Sequence, residues 1–146
     1  MSALIVRLVL AAAFGAWALA LGPQAVAETL PGPFQARVVR VIDGDTLIVQ
    51  VGLWFGQSVI EHIRIAGIDA PEMKGRCPSE TAAARTAGQY LATLIGAGPL
   101  ELRDVRHEKY GRTLARVFVN GLDVAKEMLG AGHARPYSGG KREGWC

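Results

Sequence analysis

Ala36 to Ile65 reads ARVVRVIDGDTLIVQVGLWFGQSVIEHIRI, and this stretch decides the architecture. Valine-rich Ala36–Ile42 and Thr46–Val51 flank the turn signal Asp43-Gly44-Asp45. Two β-rich runs around such a turn predict a hairpin. Gly52 to Gln57 is a second turn region, with Trp54 and Phe55 apolar inside it. Val59 to Ile65 predicts a third strand, with Ile63 and Ile65 on one face and His62 and Arg64 on the other.

Beyond a loop holding Pro71, Gly75 and Pro78 the period changes. Ser79 can cap a helix and Glu80 suits its first turn. Ala83, Ala87, Tyr90, Leu91, Leu94 and Ile95 then recur at helical spacing, until Gly96 and Gly98-Pro99 end the helix. Leu100–Val105 and Thr113–Val119 predict a fourth and a fifth strand. Asn120-Gly121 turns the chain into a short helix, Leu122–Leu129, closed by Gly130 and Gly132. Gly132 to Cys146 has no regular period. The expected fold is mainly β (α+β): a five-stranded Greek-key barrel of the OB type with one main and one short helix. An open α+β sandwich is the alternative.

The N-terminal residues belong to a different kind of segment. Arg7 precedes an apolar run, Leu8 to Leu21, which Gly22-Pro23 breaks before Ala25-Val26-Ala27. That pattern predicts a signal peptide over 1–27, cleaved after Ala27. An uncleaved anchor, Ala3 to Leu21, is the other reading. The protein is then exported, periplasmic or secreted, or else held at the membrane. Residues 28–35 read as a flexible Pro/Gly-rich leader, and 36–146 as one domain with a short C-terminal tail.

Without Arg7 the chain keeps 15 basic and 13 acidic residues, so net charge alone is a weak pointer to nucleic acid. Two cysteines, Cys77 and Cys146, meet an oxidising compartment in an exported chain. A single disulfide is expected, tying the last residue to the loop after Glu72, with two free thiols as the alternative. His62, His107 and His133 lack metal-ligand spacing, which disfavours zinc. The cysteines lack C-x-x-C spacing, and no phosphate-binding Gly-rich loop is present.

Taken singly, the charged motifs are ordinary turns and loops. Together they form an inventory for phosphodiester hydrolysis. The reaction needs cations on the phosphate, an oriented water and stabilised charge at five-coordinate phosphorus. Asp45, Asp69 and a loop carbonyl suit a hard divalent cation. Arg64 and Arg112 can clamp a phosphate, and Glu72 can position or deprotonate water. Trp54 and Trp145 either stack on bases or pack in the core or tail. Lys141 and Arg142 either touch a nucleic-acid backbone or lie in a solvated tail.

Val41-Ile42-Asp43-Gly44-Asp45-Thr46, Arg64-Ile65-Ala66-Gly67-Ile68-Asp69-Ala70-Pro71-Glu72 and Lys109-Tyr110-Gly111-Arg112 resemble, in order, the three signatures of the staphylococcal-nuclease-like (thermonuclease) family. The resemblance covers residues 35 to 137. It implies an OB-fold nuclease that uses Ca2+, acts on DNA and RNA and leaves 3′-phosphates. Asp45 and Asp69 match the family's calcium carboxylates, and Ala70 stands where the family ligates through a backbone carbonyl. Arg64, Glu72 and Arg112 match its catalytic groups, and Asp43 an acid beside the metal's ligands. Lys109 and Tyr110 match residues lining the nucleotide pocket, and Tyr137 aligns approximately with a substrate-binding tyrosine.

Two departures stand out. The Lys-rich loop after the catalytic glutamate is replaced by Met73-Lys74-Gly75-Arg76-Cys77-Pro78, and the family's long C-terminal helix is absent, so a Cys77–Cys146 bridge would pin a short tail instead. The expectation is a monomeric nuclease with little sequence specificity and without an obligate protein partner. The alternative is a non-catalytic OB-fold nucleic-acid-binding module of the envelope.

Overall fold

A computed structural model describes residues 28–108 and 111–146. The signal-peptide stretch 1–27 and the pocket residues Lys109 and Tyr110 lie outside the described residues.

Among the described residues eight strands and two helices follow one another: β1 (Phe34–Val41), β2 (Thr46–Trp54), β3 (Gln57–Ile65), β4 (Ile68–Asp69), α1 (Pro78–Ile95), β5 (Pro99–His107), β6 (Thr113–Val119), β7 (Leu122–Asp123), α2 (Val124–Gly130) and β8 (Arg135–Pro136). β1 pairs antiparallel with both β2 and β5, β2 with β3, and β5 with β6. A parallel pairing of β3 with β6, Ile63 opposite Thr113 to Ile65 opposite Ala115, closes the five strands into a barrel. This is the expected OB-type barrel rather than the open sandwich.

Closure needs strongly bent strands, and the bends sit at irregularities in the ladders. Val39 is the extra residue between the pairs Val38–Val49 and Arg40–Ile48. The ladder between β5 and β6 breaks between Arg103 and Arg106, where Asp104 takes a positive φ of 53°. The interior is filled by Leu47, Val49, Ile63, Ile65, Leu100, Leu102 and Val117. Leu91 and Ile95 of α1, with Val124 and Met128 of α2, cap that core.

The structure corrects several local expectations. Cys77, not Ser79, is the N-cap of α1, and Pro78 opens the helix, where a missing N–H does no harm. Ala84 rather than Ala83 faces the core. Asn120-Gly121, both at positive φ, close a tight hairpin, so Leu122–Asp123 pair with β6 before α2 starts. Asp123 then caps α2 by accepting from the Ala125 N–H at 3.1 Å. The leader does not hang free: Leu30 pairs with Val105 in both directions at 2.8 Å, and Phe34 and Gln35 belong to β1. The tail acquires order through β8, which pairs with β4.

Trp54 and Phe55, at the tip of the β2–β3 hairpin, are exposed and pack edge to face with each other, so Trp54 is not a core residue.

Cys77 and Cys146 form the expected disulfide, with Cα atoms 6.0 Å apart across 69 positions. Closing so long a loop contributes about 4 kcal/mol on the chain-entropy account.

Gly44 sets how closely the first turn approaches α1. A Cβ there would lie 2.7 Å from Ala87 Cβ and 2.8 Å from Ala70 Cβ, both attached to buried backbone that cannot swing aside. Gly44→Ala is therefore expected to destabilise by about 1–3 kcal/mol in urea unfolding. Gly52→Ala, in open space, should stay within about 0.5 kcal/mol. Equal midpoints for the two variants would contradict the close packing.

Candidate active site

One mouth of the barrel collects the start of β2, the end of β3, the loop after β4, the β5–β6 loop and the tail. Asp45 sits there because the Asp43-Gly44-Asp45 turn folds on itself. Asp43 Oδ1 accepts from the Asp45 N–H at 3.1 Å, as an Asx turn requires. Asp45 is buried and each of its oxygens has a partner. Oδ1 accepts from the Thr46 hydroxyl at 2.8 Å and pairs with Arg64 Nη1 at 2.8 Å. Oδ2 accepts from the Ala70 N–H at 2.8 Å, which draws the Asp69-Ala70-Pro71 loop onto the first turn.

Arg64 shares a strand face with His62, yet His62 is exposed and Arg64 is only 4% exposed. The difference lies in what covers each end of β3. Gly67, Ile68, Tyr137 and Ser138 wall the Arg64 end, in a cleft of about 400 Å³. Arg64 Nη2 donates to the Ile68 carbonyl at 3.1 Å and lies 3.8 Å from Asp69 Oδ1. Its Nε lies 3.8 Å from Glu108 Oε1, and its guanidinium is 5.7 Å from the Tyr137 ring centre.

Glu108 joins the two candidate phosphate-binding arginines. Its Oε2 is 2.9 Å from Arg112 Nη2, a close ion pair whose angle is too poor for a hydrogen bond. Among the described residues, buried Arg112 Nε finds no acceptor. Arg64 and Arg112 thus converge on a single carboxylate, with donor capacity left over. Two guanidinia around one anion is also the arrangement that grips a phosphate.

Asp69 is 1% exposed and carries the densest set of partners. Oδ2 accepts from Arg135 Nε at 3.3 Å, Arg135 Nη2 at 3.1 Å and Trp145 Nε1 at 3.1 Å. Oδ1 accepts from Arg142 Nε, and Arg142 also donates to Glu72 Oε1 and, at 3.4 Å, to the Ala70 carbonyl. Burial acts to lower the Arg142 pKa, but hydrogen bonds to Glu72 and Asp69 outweigh it and hold the guanidinium above its ordinary value. Arg142 therefore stays partly in water, but its guanidinium is held on the acidic cluster and is not free to meet a backbone in this conformation. Trp145 packs over the Arg135 guanidinium at 4.1 Å.

Glu72 is half-exposed, as a group facing substrate and water would be. Its loop is held from below by buried Glu80, which accepts from the Arg76 N–H at 2.8 Å and the Glu72 N–H at 3.4 Å. Glu80 lies three residues after the N-cap Cys77, the spacing at which a glutamate reaches back over a helix start. That spacing was a signal for a supporting role that sequence reasoning missed. Glu108, Arg135 and Trp145 carried no comparable signal.

The structure thus brings together Asp43, Asp45, Arg64, Asp69, Ala70 and Glu72, reaches Arg112 through Glu108, and sets Tyr137 at the edge. Asp45, Asp69, the Ala70 carbonyl and Glu72 offer oxygen donors only, and three of the four residues already share one cationic guanidinium. That donor set fits a hard divalent cation such as Ca2+.

Crowded negative charge leaves a mark on Asp43. Burial first, then the charge of Asp45, push its carboxyl up to about 6, with a smaller push from Glu72. The folded protein therefore holds this proton more tightly than the unfolded chain. As pH rises from about 4 to 6 the unfolded chain ionises first, so folding loses at most about 3 kcal/mol by neutrality. In chelating buffer Asp43→Asn should raise the urea midpoint at about pH 7 and lose most of that gain at about pH 4. A gain equal at both pH values would exonerate the carboxylate.

Comparison with known proteins places the chain in a family. Residues 62–143 match the model of the family described as staphylococcal nuclease homologue. The SPbeta prophage-derived endonuclease YokF of Bacillus subtilis (strain 168) is 32% identical over 99 residues, covering 66% of this chain and 32% of that protein. An uncharacterized endonuclease of Escherichia coli O157:H7 is 31% identical over 102 residues, covering 69% of this chain and 60% of that protein. The micrococcal nuclease of Shigella flexneri is 36% identical over 85 residues, covering 58% of this chain and 42% of that protein. The chain thus spans between about a third and three fifths of the length of these relatives. With the family model matched over more than half its length, the chain belongs to the staphylococcal nuclease homologue family.

Proposed function

We propose that the protein is an exported, Ca2+-dependent nuclease that hydrolyses DNA and RNA backbones with little sequence specificity. The observation that carries this reading is the convergence of Arg64 and Arg112 on one carboxylate, beside a cluster of oxygen donors. An anion-gripping pair next to a cation-binding cluster is what a phosphodiester requires. Relatives named endonuclease and micrococcal nuclease support the same reading.

Asp45, Asp69 and the Ala70 carbonyl would hold Ca2+, which when bound polarises a phosphate oxygen. The phosphate would take the place that Glu108 now holds between Arg64 and Arg112, and the two guanidinia neutralise the charge building on it. Glu72 orients a water and accepts its proton as the oxygen adds to phosphorus. The bond to the 5′ oxygen then breaks, that oxygen takes a proton from solvent water, and a 3′-phosphate and a 5′-hydroxyl are left. Asp43 tunes the cluster's charge, and Lys109, Tyr110 and Tyr137 line the nucleotide side. A mouth with no groove-reading helix among the described residues favours an exposed, flexible backbone over a particular base sequence. The N-terminal pattern of residues 1–27 and the disulfide support export, and the enzyme works as a monomer without an obligate protein partner.

Glu72 is the residue to test first. Arg64 and Asp45 form a buried pair, so removing either leaves an unpaired charge and destabilises the fold by about 3–5 kcal/mol. Glu72→Gln should cut cleavage of single-stranded DNA and RNA by about 10²–10⁴-fold while leaving the unfolding midpoint nearly unchanged. A loss of only a few fold would remove Glu72 from proton transfer.

Stripping divalent cations from the purified protein should abolish cleavage, and Ca2+ should restore it, with 3′-phosphate ends on the products. Undiminished cutting in chelator would take the cation out of the mechanism. Failure of the intact protein to cut any substrate with Ca2+ present would favour the binding-module reading.

A further inference from the structure

The tail after β8 is a strap fastened at both ends. Upstream, β8 pairs with β4, and the Tyr137 N–H donates to the Gly67 carbonyl at 2.9 Å. Downstream, Cys146 is bonded to Cys77 at the start of α1. Between the fastenings, Arg135 reaches across to the Gly144 carbonyl at 3.1 Å and to the Glu143 carbonyl. Gly139 and Gly140 take positive φ values of 106° and 90°, conformations that let the strap double back. Of its two cations, Arg142 turns back onto the acidic cluster, whereas Lys141, also at the surface, forms no ion pair with the described residues.

Arg142 lies on Asp69 Oδ1, Glu72 Oε1 and the Ala70 carbonyl together. Two of the three, the Asp69 carboxylate and the Ala70 carbonyl, are oxygens that a hard cation would need, and the third belongs to Glu72, the group that would orient water. A metal–oxygen bond of about 2.3–2.6 Å leaves no room for a guanidinium donating to the same atoms. A guanidinium balances the negative charge but has no open coordination position for a phosphate oxygen.

We propose that Arg142 is a built-in competitor for the divalent-cation site, held there by the disulfide-fastened strap. The proposal rests on the cation-site reading given above. Docked, the strap neutralises the acidic cluster and keeps the site closed to Ca2+. Binding of the ion requires Arg142 to withdraw, so the apparent affinity falls by the fraction of time the site is open. The disulfide keeps the competitor at high effective concentration, because the strap cannot drift away. The device sets a cation threshold: the site loads where divalent ions are plentiful and stays closed where they are scarce.

Calorimetric titration of the intact, metal-stripped protein with CaCl2 tests this without reference to cleavage. Arg142→Gln should tighten the apparent dissociation constant by about 10-fold or more, the factor for a site open a tenth of the time or less. Lys141→Gln removes the same charge from the exposed neighbour and should leave the constant unchanged. Arg142→Lys, which keeps the charge but loses the planar fork, should fall between wild type and Arg142→Gln. The double variant Cys77→Ser/Cys146→Ser, which frees the strap's end, should also tighten binding, by less than Arg142→Gln.

Arg142→Gln binding Ca2+ no more tightly than wild type would overturn the proposal and leave the cation site standing. Equal tightening by Lys141→Gln would overturn it too, by tracing the effect to net charge. A bridge variant identical to wild type would remove the disulfide from the device. If Ca2+ binds to none of these proteins, the cation-site reading fails and this proposal fails with it.

Discussion

The site hangs on one carboxylate that is almost wholly out of water. Asp45 joins its own turn to a stretch about 20 positions further on, at Arg64 at the end of β3 and at the backbone of Ala70. A buried carboxylate without partners would be expelled or protonated, so each of these contacts is compulsory once the barrel closes. Gly44, packed against Ala87 and Ala70, allows the turn to come close enough for them to form. The position of the Asp69-Ala70 loop is therefore a consequence of electrostatics at the end of a hydrophobic barrel. It does not depend on hydrophobic packing of the loop itself.

Asp69 has the opposite problem. It is still more deeply buried, yet it lies close to Arg64, Arg135 and Arg142 and also accepts from Trp145. So much positive charge around one acid makes sense only when Asp45, Asp43 and Glu72 are counted with it. Together they form a negative cluster, and Asp43 shows the strain by keeping its proton to about pH 6. The same surplus of negative charge that draws in arginines would draw in a divalent ion. In this way a structural tail and a candidate cation site depend on the same electrostatic field.

Much of this was legible in the sequence, for identifiable reasons. Alternation along Val59–Ile65 gave the barrel strand and faced Arg64 outward, and Asp43-Gly44-Asp45 gave the hairpin, because both signals are local. The burial of Arg64 was not legible, since it depends on a tail more than 70 positions away folding over one end of the strand. Glu108 was overlooked for a similar reason: a lone glutamate in a loop is ordinary until Arg64 and Arg112 are seen on either side. Asn120-Gly121 was read as a lead into a helix, but its two positive φ values make a strand return first, a choice set by pairing with β6. The tail carried no periodicity because its order comes from a two-residue strand, ion pairs and a disulfide.

A barrel mouth rich in acids needs something to cover it. A long helix could do this with apolar packing, but the segment from Gly130 to Cys146 carries glycines at 130, 132, 139, 140 and 144. Such a segment buries too little apolar surface to fold by hydrophobic contact alone. Charge and a covalent bond take over: Arg135 and Arg142 bind Asp69, Trp145 covers Arg135, and Cys146 fixes the end to α1. A cover made this way differs in kind from a packed helix. It is attracted by the same groups that would bind a metal ion, so its position responds to divalent cations, which would leave an apolar lid largely unmoved.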